Sequence, residues 1–426
     1  MAAADQTSMS NVLIPFYLDE CIRDLPTDVP FLDYFMQEKE AFGGSSMNFR
    51  VQVRGNPSGG FRPGTRIARP GITQFEWATV GMKRAYFSTS IDLVFDRLTK
   101  QSRPQPVLQA LKENVESLKE NGKRKIELAF LGDGTGVIAQ VNGAHAIGDT
   151  TIAVKDPEGR TFGGARYVEE GAFLTLWPEG VPTPIIVSTV DYDTDIMTIV
   201  YPAGGLPVAI PDGAAVVFGD PDGNSWGNEP DGGMKKLFAD PSVEPTYLGL
   251  SRQTYDIWKT TSRGAVTDDL PWNTGRILRG MAIPKQVAKI QKGERVMFTH
   301  EWTIFEYLEQ EAWPKEHLVN VDGIYSTGAV KVAFMDGTDR IPIETVPVAP
   351  YGDIHVLRAK DWRVPMLGTE VLEIVKPVAG GGIMHEVPGY HEGFIYGAFF
   401  GNVYCRRPKG QVRFRGIHIN TSDLPR

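Results

Sequence analysis

The stretch ELAFLGDGTG, Glu127 to Gly136, decides how the chain is read. Its last five residues have the composition of a phosphate cradle. A cradle needs a strand, then a glycine loop, then a helix N-terminus, where unpaired N–H groups and the positive end of the dipole meet the anion. Here the order is reversed. Upstream, from Pro106, the run PVLQALKENVESLKENGKRKIELAFL puts Val107, Leu111, Val115, Leu118, Ile126, Ala129 and Phe130 on one face at 3.6 residues per turn. The glycines therefore follow a helix of about 25 residues, ~37 Å long. The dipole there is negative and the exposed groups are carbonyls. No Gly-Lys-Ser/Thr is present either. Gly132, Gly134 and Gly136 are read as the structural turn after the helix, with Gly132 and Gly134 supplying positive φ. Gly122 lies on the apolar stripe, where it weakens the helix or admits a close crossing.

On the N-terminal side of that helix, FRVQVR (Phe49–Arg54) alternates strictly, with Phe49, Val51 and Val53 on one face and Arg50, Gln52 and Arg54 on the other. This is strand periodicity. ITQFEWATV (Ile72–Val80) reads as its partner. The intervening Gly55–Gly71 holds five glycines and three prolines, so the tip of this hairpin is not regular sheet. An excursion with so little apolar surface of its own is expected either to be disordered or to lie on a neighbour.

Charge is distributed in blocks. The chain of 426 residues has a net charge of -8. Residues 1–45 carry eight acids against Arg23 and Lys39, a balance of -6. Residues 46–84 carry seven bases against Glu76, a balance of +6. An acidic arm beside a basic segment suits a chain that docks on copies of itself. The overall acidity argues against a protein that coats nucleic acid along its length. Two distant cysteines, Cys21 and Cys405, make neither a disulfide framework nor a metal pattern. No signal peptide and no membrane span are read in the sequence.

On the C-terminal side, residues 141–220 hold short β-branched runs (TTIAV, AFLTLW, PIIVSTV, DIMTIVY, AAVVF) separated by Gly/Pro/Asp turns. Even spacing of this kind predicts a small β-barrel or sandwich. FGDPDGNSWGNEPDGG (Phe218–Gly233) reads as a linker without EF-hand spacing. From 234 the chain is α+β. It includes a helical pattern interrupted at Pro284 and an amphipathic helix, THEWTIFEYLEQEAW, whose Trp302, Phe305 and Trp313 are expected in the core. Later runs, GAVKVAFMDG, RIPIETVPV, DIHVLRAKDWRVP and QVRFRGIHI, read as strands. His385 and His391 stand six apart around Pro-Gly, which excludes the helical H-E-x-x-H zinc site and leaves a loop metal site open. There is no G-x-S-x-G elbow, and Cys405 has no activating signature. Neither a catalytic residue nor a cofactor is assigned.

The order of parts, with ELAFLGDGTG, PTYLGLSRQTYDIWKTTSRG (Pro245–Gly264) and YCRRPKGQVRFRGI, resembles the major capsid proteins of tailed bacteriophages, the HK97-type capsid fold family. The resemblance covers nearly the whole chain and implies an α+β fold. Residues 1–45 become the N-terminal arm, 46–84 the extended loop, 85–140 the peripheral domain with its spine helix, and 141–222 an inserted β domain. Residues 223–264 form a linker returning to the peripheral domain, 265–375 the axial domain, and 376–426 the closing strands. It implies a structural protein that is not an enzyme: pentamers and hexamers build an icosahedral shell in the virion, assembled in the host cytoplasm around double-stranded DNA held without sequence-specific contacts. The implied partners are a separate scaffolding protein, a portal and a decoration protein. Inter-subunit contacts fall to Phe49, Arg50, Val51, Arg54, Arg62, Arg66, Arg69, Phe75 and Trp77. Two departures qualify this. Residues 46–82 contain no lysine, so the lysine crosslink of some members is not expected, and the arm is too short for a cleaved scaffold segment. Two other readings stay open: an encapsulin-like compartment, and a β-rich hydrolase with 141–220 as a binding module.

Overall fold

A 27-residue helix, Gln105–Leu131, forms where the apolar stripe places it. The computed structural model describes residues 30–36, 39–41, 44–55, 72–92, 105–177, 182–201, 204–219, 230–266, 268, 270–288, 294–307, 333–336, 339–368, 371–375, 385–386 and 392–419. The described chain divides into two compact units.

The first unit gathers 84–126 and 368–400. Its centre is a close approach to the long helix. A side chain at Gly122 would meet Leu372 Cδ2 at 2.7 Å, so glycine here admits the neighbour rather than merely weakening the helix. Leu118, Phe87 and Leu372 are buried beside it. Strand Glu392–Gly401 carries Glu373–Val375 and His385–Glu386 antiparallel to it, and Lys83–Asp92 also pairs with it.

The second unit holds three parts. The first is a two-stranded finger, Ser46–Arg54 against Gln74–Gly81, whose register pairs Arg50 with Trp77 and Gln52 with Phe75. The second is a closed six-stranded barrel, confirming the small β domain read from the sequence. Its order runs Ala215–Phe218, Val137–Val141, Thr151–Lys155, Ile196–Tyr201, Thr183–Asp191, Phe173–Trp177. Ile138, Ile152, Val154, Leu174, Leu176, Ile185, Met197 and Val216 fill it. Closure removes the edges that an open sheet of this size would expose. The third part is a six-stranded mixed sheet, ordered Thr261–Arg263, Val412–Phe414, Ile354–Arg358, Arg295–Thr299, Asp339–Thr345, Ala333–Asp336. Helix Thr274–Ala288 covers it through Ile277 and Met281, against Met297, Ile341 and Phe414.

Two expectations are corrected here. The helix after Asn273 is not interrupted at Pro284; it runs through it, and Asn273 caps its start by accepting the Arg276 N–H at 2.9 Å. In helix Glu301–Tyr307 the side chains that point inward are Thr303, Ile304 and Glu306. Phe305 is 43% exposed and meets Trp302 edge-on, so the aromatic residues do not form the core face; Trp313 lies outside the described residues.

The long helix also organises the second unit. Its buried Glu127 accepts the N–H groups of Phe31 (2.9 Å) and Leu32 (3.2 Å), the otherwise unpaired donors of helix Pro30–Met36. That helix then seats Phe31 against Phe298 and Phe35 against Trp362.

Candidate assembly surfaces

The turn Gly132–Gly136 is structural. Gly134 (φ 91) and Gly136 (φ 77) take the left-handed region. Gly132 does not, which corrects the expectation for it; it ends the helix through its N–H to Leu128 and Ala129 carbonyls, both at 3.1 Å. Asp133 holds the turn by accepting the Thr135 N–H at 3.0 Å and pairing Lys235 at 2.9 Å. Burial alone would raise its pKa, but Lys235 and Thr135 outweigh that and keep it below the ordinary value. The segment 231–233 lies directly on these glycines, leaving no cradle for a phosphate.

The finger has two unlike faces. Phe49 stacks on Tyr404 at 4.9 Å, and Val51, Ala78 and Val80 are buried. The base is tied down by Thr79 N–H to Leu248 O at 3.0 Å and by the Asn402 amide to Gly81 O at 2.7 Å. On the other face Phe75 is 46% and Trp77 59% exposed, and Ile72 is exposed beside them. The Arg50 guanidinium covers them, 4.6 Å from the Phe75 centroid and 5.7 Å from that of Trp77. Alternation on each strand was legible; the sequence reading nevertheless pooled Phe49 and Val51 with Phe75 and Trp77 as one contact set. The register separates them: Phe49 and Val51 face inward, while Arg50, Phe75 and Trp77 share the outward face. Arg54 is exposed at the end of its strand. Arg62, Arg66 and Arg69 lie outside the described residues.

Behind the finger, the stretch Pro245–Gly264 supplies its support. Gly249 (φ 81) turns a two-residue ladder. Buried Arg252 donates to the Lys236 and Leu237 carbonyls at 3.2 and 2.8 Å. Trp258 donates its indole N–H to Tyr247 O at 2.8 Å.

The root of the barrel is the site that the sequence did not reveal. Glu158 and Arg160, on the turn after strand Thr151–Lys155, meet the sheet residues Asp353, Arg413 and Arg415. Arg160 bonds Asp353 at 3.0 Å, and Arg413 reaches Glu158 at 2.5 Å and Asp353 through Nε at 3.1 Å. Arg415 also pairs Glu158. Beside them Arg166 pairs buried Asp156 at 3.2 Å and lies 4.1 Å from the Tyr351 ring. Burial opposes ionisation at each carboxylate. At Glu158 it is outweighed by Arg413 and Arg415, which hold the pKa well below the ordinary range. At Asp353 burial wins and the pKa rises. Asp156 is pushed up to about 6 by burial, against the pull of Arg166. Such a lock resists removal of one partner far more than its net contribution suggests.

His300 and His355 are held well below their ordinary pKa, chiefly by burial. His391 lies outside the described residues, and no group of three or more metal-ligating side chains occurs among the described residues. No described helix is long and apolar enough to cross a membrane.

No family model and no curated protein matches the sequence. Solved structures do. The cyanophage A-1(L) capsid asymmetric unit aligns over 97% of this chain and 99% of its own at a TM-score of 0.53 and 10% identity. The chain has the HK97-type capsid fold. Lower similarity is found to the capsid of the native GTA particle (TM-score 0.47, 9% identity, 98% and 100% covered). The Gordonia phage Cozz structure gives a TM-score of 0.46 at 9% identity, with 96% and 93% covered.

Proposed function

We propose that this chain is a major capsid subunit: it assembles with copies of itself, as hexamers and pentamers, into an icosahedral shell that encloses double-stranded DNA in the virion. Its role is structural rather than catalytic. The observation that carries this reading is the outward face of the finger. A two-stranded ribbon that exposes Phe75 and Trp77 under an arginine has an apolar surface with no partner among the described residues of its own unit. In a shell, that face lies on the adjacent subunit. Apolar burial supplies most of the contact energy, at about 25 cal/mol per Å². The arginines Arg50, Arg54, Arg62, Arg66 and Arg69 set register and partner choice against carboxylates, because exposed pairs add only ~0–1 kcal/mol each. Many modest contacts multiply through avidity. Cohesion is non-covalent, since the loop has no lysine to crosslink. A net-negative wall does not trap packaged DNA. Assembly takes place in the host cytoplasm with a separate scaffolding protein and portal, and a decoration protein on the finished shell.

Expression of the chain alone and with its neighbouring genes, followed by negative-stain microscopy, tests this. Megadalton particles are expected, and a stable monomer or dimer under all conditions sinks the proposal. Arg62→Glu with Arg66→Glu gives soluble protein without shells; normal particles from that variant overturn the role given to the loop.

A further inference from the structure

The inserted barrel carries a feature that the shell reading leaves without a task. At one end, strand Thr183–Asp191 turns into strand Ile196–Tyr201 through Asp191-Tyr192-Asp193-Thr194. Tyr192 is 55% exposed, flanked by Asp191 and Asp193, and Glu170 is exposed close by, its carboxylate accepting the Val190 N–H at 3.3 Å. The turn is rigid. Asp191 accepts the N–H of Asp193 at 3.0 Å and the hydroxyl of Thr194 at 2.8 Å. The Tyr192 hydroxyl donates to Val168 O at 3.3 Å, and Asp195, at φ 55, accepts two N–H groups from 163–165. A half-exposed aromatic ring between carboxylates is thus fixed on the barrel surface, so that ordering it costs little further entropy.

Elsewhere in the same unit lies a groove of about 680 Å³, floored by Phe49, Val51, Val53, Ile257 and Trp258 and rimmed by Arg406, Arg407 and Lys409. Lys409 pairs Asp256 at 2.8 Å, and Arg407 stands 4.0 Å from Asp361 with most of its side chain in solvent. The floor is apolar and aromatic; the rim is basic. It fits an aromatic side chain flanked by acids, the chemistry that the barrel end presents.

We propose that the Asp191–Thr194 turn of the barrel docks in the Phe49–Trp258–Arg407 groove of a second copy. Every copy carries both halves, so the contact is head-to-tail. Tyr192 stacks in the apolar floor while Asp191, Asp193 and Glu170 face the basic rim. This rests on the shell reading, and gives the insertion a part in it: the barrel is a strut between subunits.

Photo-crosslinking tests it, with benzoylphenylalanine replacing Tyr192 in the full chain. Isotopically heavy and light copies are mixed before assembly and crosslinks are mapped by mass spectrometry. The expected result is a heavy–light crosslink from position 192 to residues 49–55, 257–258 or 406–409. Asp193→Lys or Arg407→Glu alone lowers its yield by about ten-fold, and the two together restore it. Particles whose position-192 crosslinks map to other residues, including the acidic arm of a neighbour, overturn the docking and leave the shell reading intact. A chain that forms no particles and no heavy–light crosslinks overturns both. Failure of the charge swap to restore yield, with both singles defective, also rejects the pairing. Thermal unfolding of each variant checks that the barrel is intact.

Discussion

Barrel and finger are built from the same material, short β-branched and aromatic strands, and reach opposite solutions. The barrel closes on itself, so every strand is paired on both sides and Ile152, Val154, Leu174, Leu176, Ile185, Met197 and Val216 meet inside, while Phe173, Trp177 and Val200 face out. The finger has two strands and, among the described residues, no third layer over its outer face, so Phe75 and Trp77 are exposed there. A closed sheet can be complete within one chain. An open ribbon of this kind is complete only with help, and the difference marks where the molecule is finished and where it awaits a partner.

That contrast can be broken at several points. The severest test is Arg413→Ala at the barrel root. It removes the fully buried cation between Glu158 and Asp353 and leaves only Arg160 and Arg415 to compensate them, and about 3 kcal/mol of stability is expected to be lost in denaturant unfolding. Loss of less than 1 kcal/mol would mean that the lock is replaceable by water. Within the barrel wall, Ile152→Ala should cost about 2–5 kcal/mol through transfer and cavity terms, read as a fall in Tm, with the finger unaffected. The root should also respond to acid. Glu158 has a folded pKa below its ordinary value of 4.5, so its contribution is present above that pH and fades as pH falls through it. The Tm advantage of the native chain over Glu158→Gln should therefore shrink between pH 6 and pH 3; a constant or widening gap contradicts the assignment. The smallest stability effect belongs to the finger. Trp77→Ala should leave monomer unfolding within about 0.5 kcal/mol, because little is buried there. Particle yield in light scattering should fall sharply in the same variant. If Trp77→Ala instead destabilises the monomer, the outer face has a partner within the chain.

Much of the fold was legible in the primary structure. The spine helix declared itself by its stripe, and the reversed order of helix and glycines excluded a phosphate loop. Even spacing of short runs predicted the barrel. The finger showed its alternation on each strand, but not which faces coincide, because register across a hairpin is fixed by the turn, and the glycine- and proline-rich tip gives no turn of defined length. For that reason the sequence did not show that Phe49 and Trp77 lie on opposite faces of the ribbon. Phe305 was misassigned because three aromatics on one short segment resemble a core face, whereas the helix turns Thr303, Ile304 and Glu306 inward. The barrel root was invisible for a different reason. Arg413 sits in QVRFRGI, where alternation suggests a solvent-facing arginine, and its partner Glu158 lies 255 residues away. Periodicity reports the local face of a strand and is silent on what a distant turn brings to that face.

The first and last strands of the barrel are neighbours, with Val137 opposite Val217. The chain therefore leaves the trunk and rejoins it through two points roughly 5 Å apart. Any compact module whose termini meet as closely could be spliced in there without rerouting the backbone on either side. The insertion is in that sense a socket, at which one module can be exchanged for another while the rest of the fold stays fixed.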